Sequence, residues 1–261
     1  HMSTNKQAIS ALRLQKLLGF GSYSTAARWL RELRRVMAAS EASQKLSGAV
    51  EVDEAPMGGV EEGRKGPWAG KLLLLYAVER KGRNCGRARI RLVPARDKAN
   101  LCGFVEDVVQ KGSVVCTDGY HIYDQIASNG FVHDPRVTTN GKGGHNNQLK
   151  MEDGRKKSAI HLGCVYRVSN LVDRVFLSAF QGRYSEQHIQ GCLDEYCFRF
   201  NRRLAATPFT IIQALTERIV RSKPVPYWKS CGRLAPDKPG RRANREWERF
   251  SGVLQGAAYV G

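Results

Sequence analysis

The 261-residue chain is 42% hydrophobic, enough apolar material for one full α/β core and a small flanking module. Its 42 lysines and arginines against 24 acidic residues leave a formal charge of +18, which favours a polyanionic partner through counterion release, nucleic acid before an acidic membrane. No apolar run approaches the roughly 18 residues that a spanning helix needs; the longest candidate is Leu72 to Val78, so a cytoplasmic, nucleoid-associated protein with no membrane partner is expected.

The opening His1-Met2 reads as a cloning scar, so the lack of a targeting signal excludes little. Seven cysteines, scattered through apolar segments without a C-x-x-C pair, read as reduced thiols and not as a zinc site.

Residues 8 to 38 carry two helical patterns separated by Gly19-Phe20-Gly21, with Ile9, Leu12 and Leu17 in the first and Ala26, Leu30, Leu33 and Met37 in the second. Ser22 or Ser24 can cap the second, whose other face carries Arg28, Arg31 and Arg35 at i, i+3 and i+7. Residues 1–46 are therefore expected to form a DNA-binding helix-turn-helix module; a packed helical hairpin with a solvated basic side is the alternative.

From residue 48 the pattern turns to strands: Ala49 to Asp53, Lys71 to Glu79, and Arg87 to Val93 with period two, as in an antiparallel meander. Asp97 to Gln110 reads as a helix, Ser113 to Thr117 as a short buried strand, and Tyr120 to Ala127 as a helix, giving the order βββαβα. Residues 129–160, rich in Gly, Asn and Lys, are expected to be an exposed loop, and helical spacing returns at Val165 to Phe180 and Glu186 to Phe200. The expected catalytic domain spans 47–222, and 223–261 forms a basic C-terminal arm. Residues 1–46 hold eight basic and two acidic residues, 47–203 hold 24 and 18, and 204–261 hold ten and four. The flanks are the more basic parts, as expected when DNA is gripped around a site that must keep its carboxylates.

Asp53 closes an apolar strand ahead of Gly58-Gly59, and Asp118 follows Val114-Val115-Cys116-Thr117 and precedes Gly119. Carboxylates at neighbouring strand ends repel unless a cation lies between them, and a hard ion with oxygen ligands, Mg²⁺ or Mn²⁺, fits. Two-metal phosphoryl transfer needs such a pair.

Val50-Glu51-Val52-Asp53-Glu54 with Gly58-Gly59, the stretch Gly112 to Gly119, and Leu193-Asp194-Glu195 through Arg199, Arg202 and Arg203 resemble ISXO2-like insertion-sequence transposases. Ile9 to Gln15, Tyr23 to Ala26 and Leu33-Arg34-Arg35 resemble that family's helix-turn-helix segment. The resemblance covers roughly residues 8 to 215. It implies an RNase H-like mixed sheet flanked by helices and a bacterial DDE-type transposase. Such an enzyme, with two Mg²⁺ or Mn²⁺ ions on Asp53 and Asp118, cuts element ends in double-stranded DNA and transfers them into target DNA as a homo-oligomer. Glu195, Arg199 and Arg202 become the signature helix; they share one face and either lock the helix by ion pairing or stand near DNA, while Arg203 can meet phosphate.

The resemblance places a third site residue, Glu, Asn or His in the family, at Tyr166, and the family's lysine seven residues later at Asp173. A phenol titrating near 10 is a poor Mg²⁺ ligand. Asn170 and Asp173 lie on the same helical face and can stand in for it, and Arg167 or Arg174 on adjacent faces can supply the phosphate contact. The departure leaves two alternatives: a catalytically impaired DNA-binding or regulatory protein, and a metal-dependent nuclease without strand transfer.

Overall fold

The computed structural model describes residues 9–58, 71–136, 151–152, 155–156, 162–180, 186–205, 207–222 and 225. The described residues fall into two compact units, one within 42–183 and one drawn from 1–41 and 184–261.

The first unit is built on β1 (Ala49–Met57), β2 (Leu72–Lys81), β3 (Asn84–Val93), β4 (Val114–Thr117) and β5 (Val132–Pro135), in the order β3-β2-β1-β4-β5. The β1–β2 and β2–β3 pairs are antiparallel, and β1–β4 and β4–β5 are parallel, so the sheet is mixed. A helix from Lys98 to Val108 separates β3 from β4 and starts on an Asp97 cap that accepts the Asn100 N–H at 2.8 Å. Its Leu101, Phe104 and Val105 pack with Val50 and Val52 of β1, Leu75 and Ala77 of β2, and Val115 of β4. The alternation of β1 thus sends its even positions into this core. Glu51 points the other way, to the helix Gly163–Phe180, whose Val165, Val168, Val172 and Phe176 are buried.

Two expectations change here. The stretch expected as a loop from 129 to 160 contains β5 and a two-residue pair of strands, Met151–Glu152 with Arg155–Lys156; the Gly- and Asn-rich centre lies outside the described residues. Strand β5 is a four-residue edge, Val132-His133-Asp134-Pro135, with Val132 exposed, so it lacks the buried apolar alternation that reveals a strand. Tyr120 to Ala127, expected as an α-helix, is a 3-10 helix from His121 to Asn129.

The second unit is helical. The chain enters it through Ala11–Leu18, capped by Ser10 and closed by Gly19 at φ 66°, a left-handed conformation that glycine adopts without strain. Tyr23–Ala42, Glu186–Asn201 and Pro208–Arg221 complete it, around Ile9, Leu14, Leu30, Val36, Met37, Phe198 and Leu215. We label the helices α1 (Ala11–Leu18), α2 (Tyr23–Ala42), α3 (Lys98–Val108), α4 (Gly163–Phe180), α5 (Glu186–Asn201) and α6 (Pro208–Arg221). The cysteines among the described residues are free thiols.

Candidate active site

The site is set by strand register. The parallel ladder pairs Ala49 with Val114, Val50 with Val115 and Glu51 with Cys116. Carried two residues further, that offset brings Asp53 level with Asp118, just past the end of β4. Asp53 does not close its strand as the sequence suggested. Strand β1 runs on to Met57 because Ala55, Pro56 and Met57 still pair with Leu74, Leu73 and Leu72 of β2. What stops at Glu51 is the ladder to β4, and Asp53 therefore faces an open strand end.

Carboxylate oxygens of Asp53, Glu54 and Asp118 lie within 4.8 Å of one another. Asp118 Oδ1 accepts the Tyr120 N–H at 2.9 Å in a turn that Gly119 permits at φ 85°. Asp53 Oδ1 accepts the Glu54 N–H at 2.9 Å. Each aspartate holds a second oxygen besides the one so engaged.

Glu54 is buried, ion-paired to Arg96 and hydrogen-bonded by the Tyr123 hydroxyl at 2.9 Å. The Arg96 guanidinium also lies 3.8 Å from the centre of the Tyr120 ring. It therefore ties β1 to the turn that carries Asp118. Sequence reasoning missed Arg96, which sits between β3 and α3 outside any motif, and gave Glu54 no separate role.

Burial pushes the Asp53 carboxyl up to about 7, and the charges of Glu54 and Asp118 push the same way; the Glu54 N–H and Arg96 offset them only in part. Burial, then Glu54, also raises the Tyr123 phenol. A carboxyl held that high stands where positive charge is lacking, and hard oxygen donors around it suit a divalent ion.

Glu51 governs the other side of the site. Its buried carboxylate accepts the N–H groups of Cys164 at 2.7 Å and Val165 at 3.2 Å, at the start of α4. This fixes the turn of α4 that carries Tyr166. Tyr166 is 53% exposed, and its phenol is raised by partial burial and then by Asp53 and Asp118, so both carboxylates act on it. Asp173 is raised by burial alone. The Asn170 amide donates to the Tyr166 carbonyl at 2.8 Å, within its own helix. Of Tyr166 and Asp173, Tyr166 is the one on which the carboxylate pair acts.

Residues 45–201, more than half of the chain, match the ISXO2-like transposase domain. The chain belongs to the ISXO2-like transposase family. The matched stretch includes Asp53, Glu54, Asp118 and Tyr166. No curated protein matches the chain. Family membership implies DNA as a partner and suggests a divalent metal, for which the acidic cluster supplies donors. Among the described residues no helix is long and apolar enough to cross a membrane.

The arginines expected to touch DNA in this transposase are unequally placed. Arg28, Arg31 and Arg35 are partly buried on α2, and Arg35 pairs with Glu32 at 2.9 Å. Arg199 lies 3.5 Å from Glu195, which also takes the buried Arg34 at 2.8 Å. Arg202 pairs with Glu41 and donates to the Ser40 hydroxyl at 2.9 Å. The Glu195, Arg199 and Arg202 face is thus engaged in ion pairs within the helical unit. Arg203 is exposed over the Phe200 ring at 3.9 Å, and Arg167 donates to the Arg83 carbonyl at 3.2 Å.

Proposed function

We propose that this transposase cuts the ends of an insertion sequence and joins them to target DNA, with Asp53 and Asp118 holding the divalent metal. The observation that carries the reading is the ladder offset that sets these two carboxylates side by side. The β3-β2-β1-β4-β5 order supports an RNase H-like core, and α1 with α2 supports a helix-turn-helix.

When bound, Mg²⁺ or Mn²⁺, two ions in this reading, supplies charge stabilisation to the attacking and leaving oxygens. Asp53 and Asp118 provide hard donors on one side of the substrate phosphate. Glu54, ion-paired to Arg96 and hydrogen-bonded by Tyr123, keeps the cluster from accumulating a third uncompensated charge. Tyr166 presents a neutral hydroxyl rather than a third carboxylate.

In cleavage, a water oxygen bonds to phosphorus and the P–O3′ bond breaks. The 3′-oxygen leaves as a hydroxyl, taking up a proton, and a 5′-phosphate remains. In joining, that 3′-hydroxyl loses its proton, attacks a target phosphodiester and frees a target 3′-hydroxyl. Arg28, Arg31, Arg35, Arg167 and Arg203 contribute phosphate contacts, and a homo-oligomer brings two ends together.

The test is a strand-transfer assay with a labelled duplex carrying the element end, a supercoiled target plasmid and Mn²⁺. Labelled target is the expected product. Cut ends that never join would leave a nuclease, and an intact duplex bound by the protein would leave a DNA-binding protein.

A further inference from the structure

Outside the acidic cluster, cationic side chains from two separate helices gather in the helical unit. A cleft of about 360 Å³ is lined by Arg35, Val36 and Ala39 of α2 and by Glu217, Arg218, Arg221 and Ser222 at the end of α6. The lining thus holds three arginines and one carboxylate, and Arg35 also pairs with Glu32 at 2.9 Å on its own helix. Glu217 already accepts the Gln213 amide at 3.1 Å, and the Ser222 hydroxyl donates to the Ile219 carbonyl at 2.8 Å.

Arg218 and Arg221 lie three residues apart on one face of the last turn of α6, where cations also suit the helix dipole. The dipole accounts for those two and not for Arg35, which enters from α2. A planar guanidinium offers paired donors that fit phosphate oxygens, and three of them along one cleft match a chain of phosphates better than a single small anion. Val36 and Ala39 add apolar surface to its lining.

We propose that the α2–α6 cleft is a docking site for the DNA sugar–phosphate backbone, engaging duplex DNA through Arg35, Arg218 and Arg221 without sequence preference. This rests on DNA as the partner in the function proposed above. Arg35, Arg218 and Arg221 all lie outside the matched residues 45–201.

The experiment measures fluorescence anisotropy of a labelled duplex of random sequence against the full chain, from low to moderate salt. The Arg218→Glu/Arg221→Glu variant is expected to bind at least tenfold more weakly, with the slope of log K against log salt reduced by about two. Arg218→Lys/Arg221→Lys is expected to keep the slope, and Glu217→Gln to bind more tightly. Matching circular dichroism spectra and melting temperatures show that the variants fold. A charge-reversal variant with the wild-type slope overturns the cleft while leaving DNA as partner. Wild type that binds no DNA at all overturns both readings. An equal loss of binding to phosphatidylserine vesicles makes the cleft a general anion surface and also overturns the proposal.

Discussion

The Glu51 carboxylate takes the Cys164 backbone N–H at 2.7 Å, so a side chain of the central strand caps the helix that carries Tyr166. Glu51 lies two residues before Asp53 on the same side of β1, and one strand therefore positions both a site carboxylate and the helix facing it. Removing the cap leaves two buried N–H groups without an acceptor, at about 1–3 kcal/mol each. Glu51→Ala is expected to lower the melting temperature markedly, and Glu51→Gln, which keeps an acceptor oxygen, less so. Equal melting of all three proteins would show that the cap does not hold α4.

Asp53 makes the protein's stability depend on pH in a definite direction. Its folded-state carboxyl titrates at about 7, above the ordinary value of 3.8, so the folded state holds the proton more tightly than the unfolded chain. This contribution is fully present below pH 3.8 and is lost as pH rises through about 7. In EDTA, Asp53→Asn is therefore expected to stabilise the protein at pH 8 relative to wild type, with a smaller difference at pH 5. Mn²⁺ should stabilise wild type more at pH 8 than at pH 6, because metal and proton compete for the same oxygens. Melting scans in both buffers read this directly, and a metal effect independent of pH would contradict it.

Glu195 is fully buried between Arg34 and Arg199. Truncating it strands two buried cations, and losing one partner of a buried pair costs about 3–5 kcal/mol. Glu195→Ala is expected to melt the helical unit well below wild type in urea. If the midpoint does not move, the ion pairs have no structural role and the arginines become available to DNA.

In the proposed site Tyr166 takes the third position, and partial burial, then Asp53 and Asp118, raise its phenol. Tyr166→Phe is expected to leave Mn²⁺ affinity unchanged, since the raised phenol is no anionic ligand. Tyr166→Glu should tighten Mn²⁺ binding about tenfold, the equivalent of about 1.4 kcal/mol. Isothermal titration distinguishes these outcomes, and a Phe variant that loses the metal would make the hydroxyl a ligand.

Asp53 and Asp118 were legible in the sequence because each follows an apolar run and each carries a glycine turn nearby. Their alignment was not, because it depends on where the β1–β4 ladder stops, and alternation along β1 is set by its pairing with β2. Tyr166 was placed only by resemblance; the contact that fixes it, from Glu51 to α4, joins residues 113 positions apart. Arg96 carried no motif, and its role exists only once β1 and the turn after β4 are adjacent. Helix α6 did have a local signature, Thr207 capping Pro208 with Ile211, Leu215 and Ile219 at helical spacing. The partners of Arg34 and Arg202 lie 161 residues away in the chain and have no local signature, whereas the i, i+4 spacing of Glu195 and Arg199 was readable.

The most direct measurement compares nicking of a labelled element-end duplex in Mn²⁺ by wild type, Asp53→Ala and Asp118→Ala, each first shown to fold. Wild type should release a 3′-hydroxyl end, and each variant should lose at least a hundredfold in rate while still binding the duplex. Nicking that persists in both variants would contradict the assignment of these two carboxylates as the metal-holding pair.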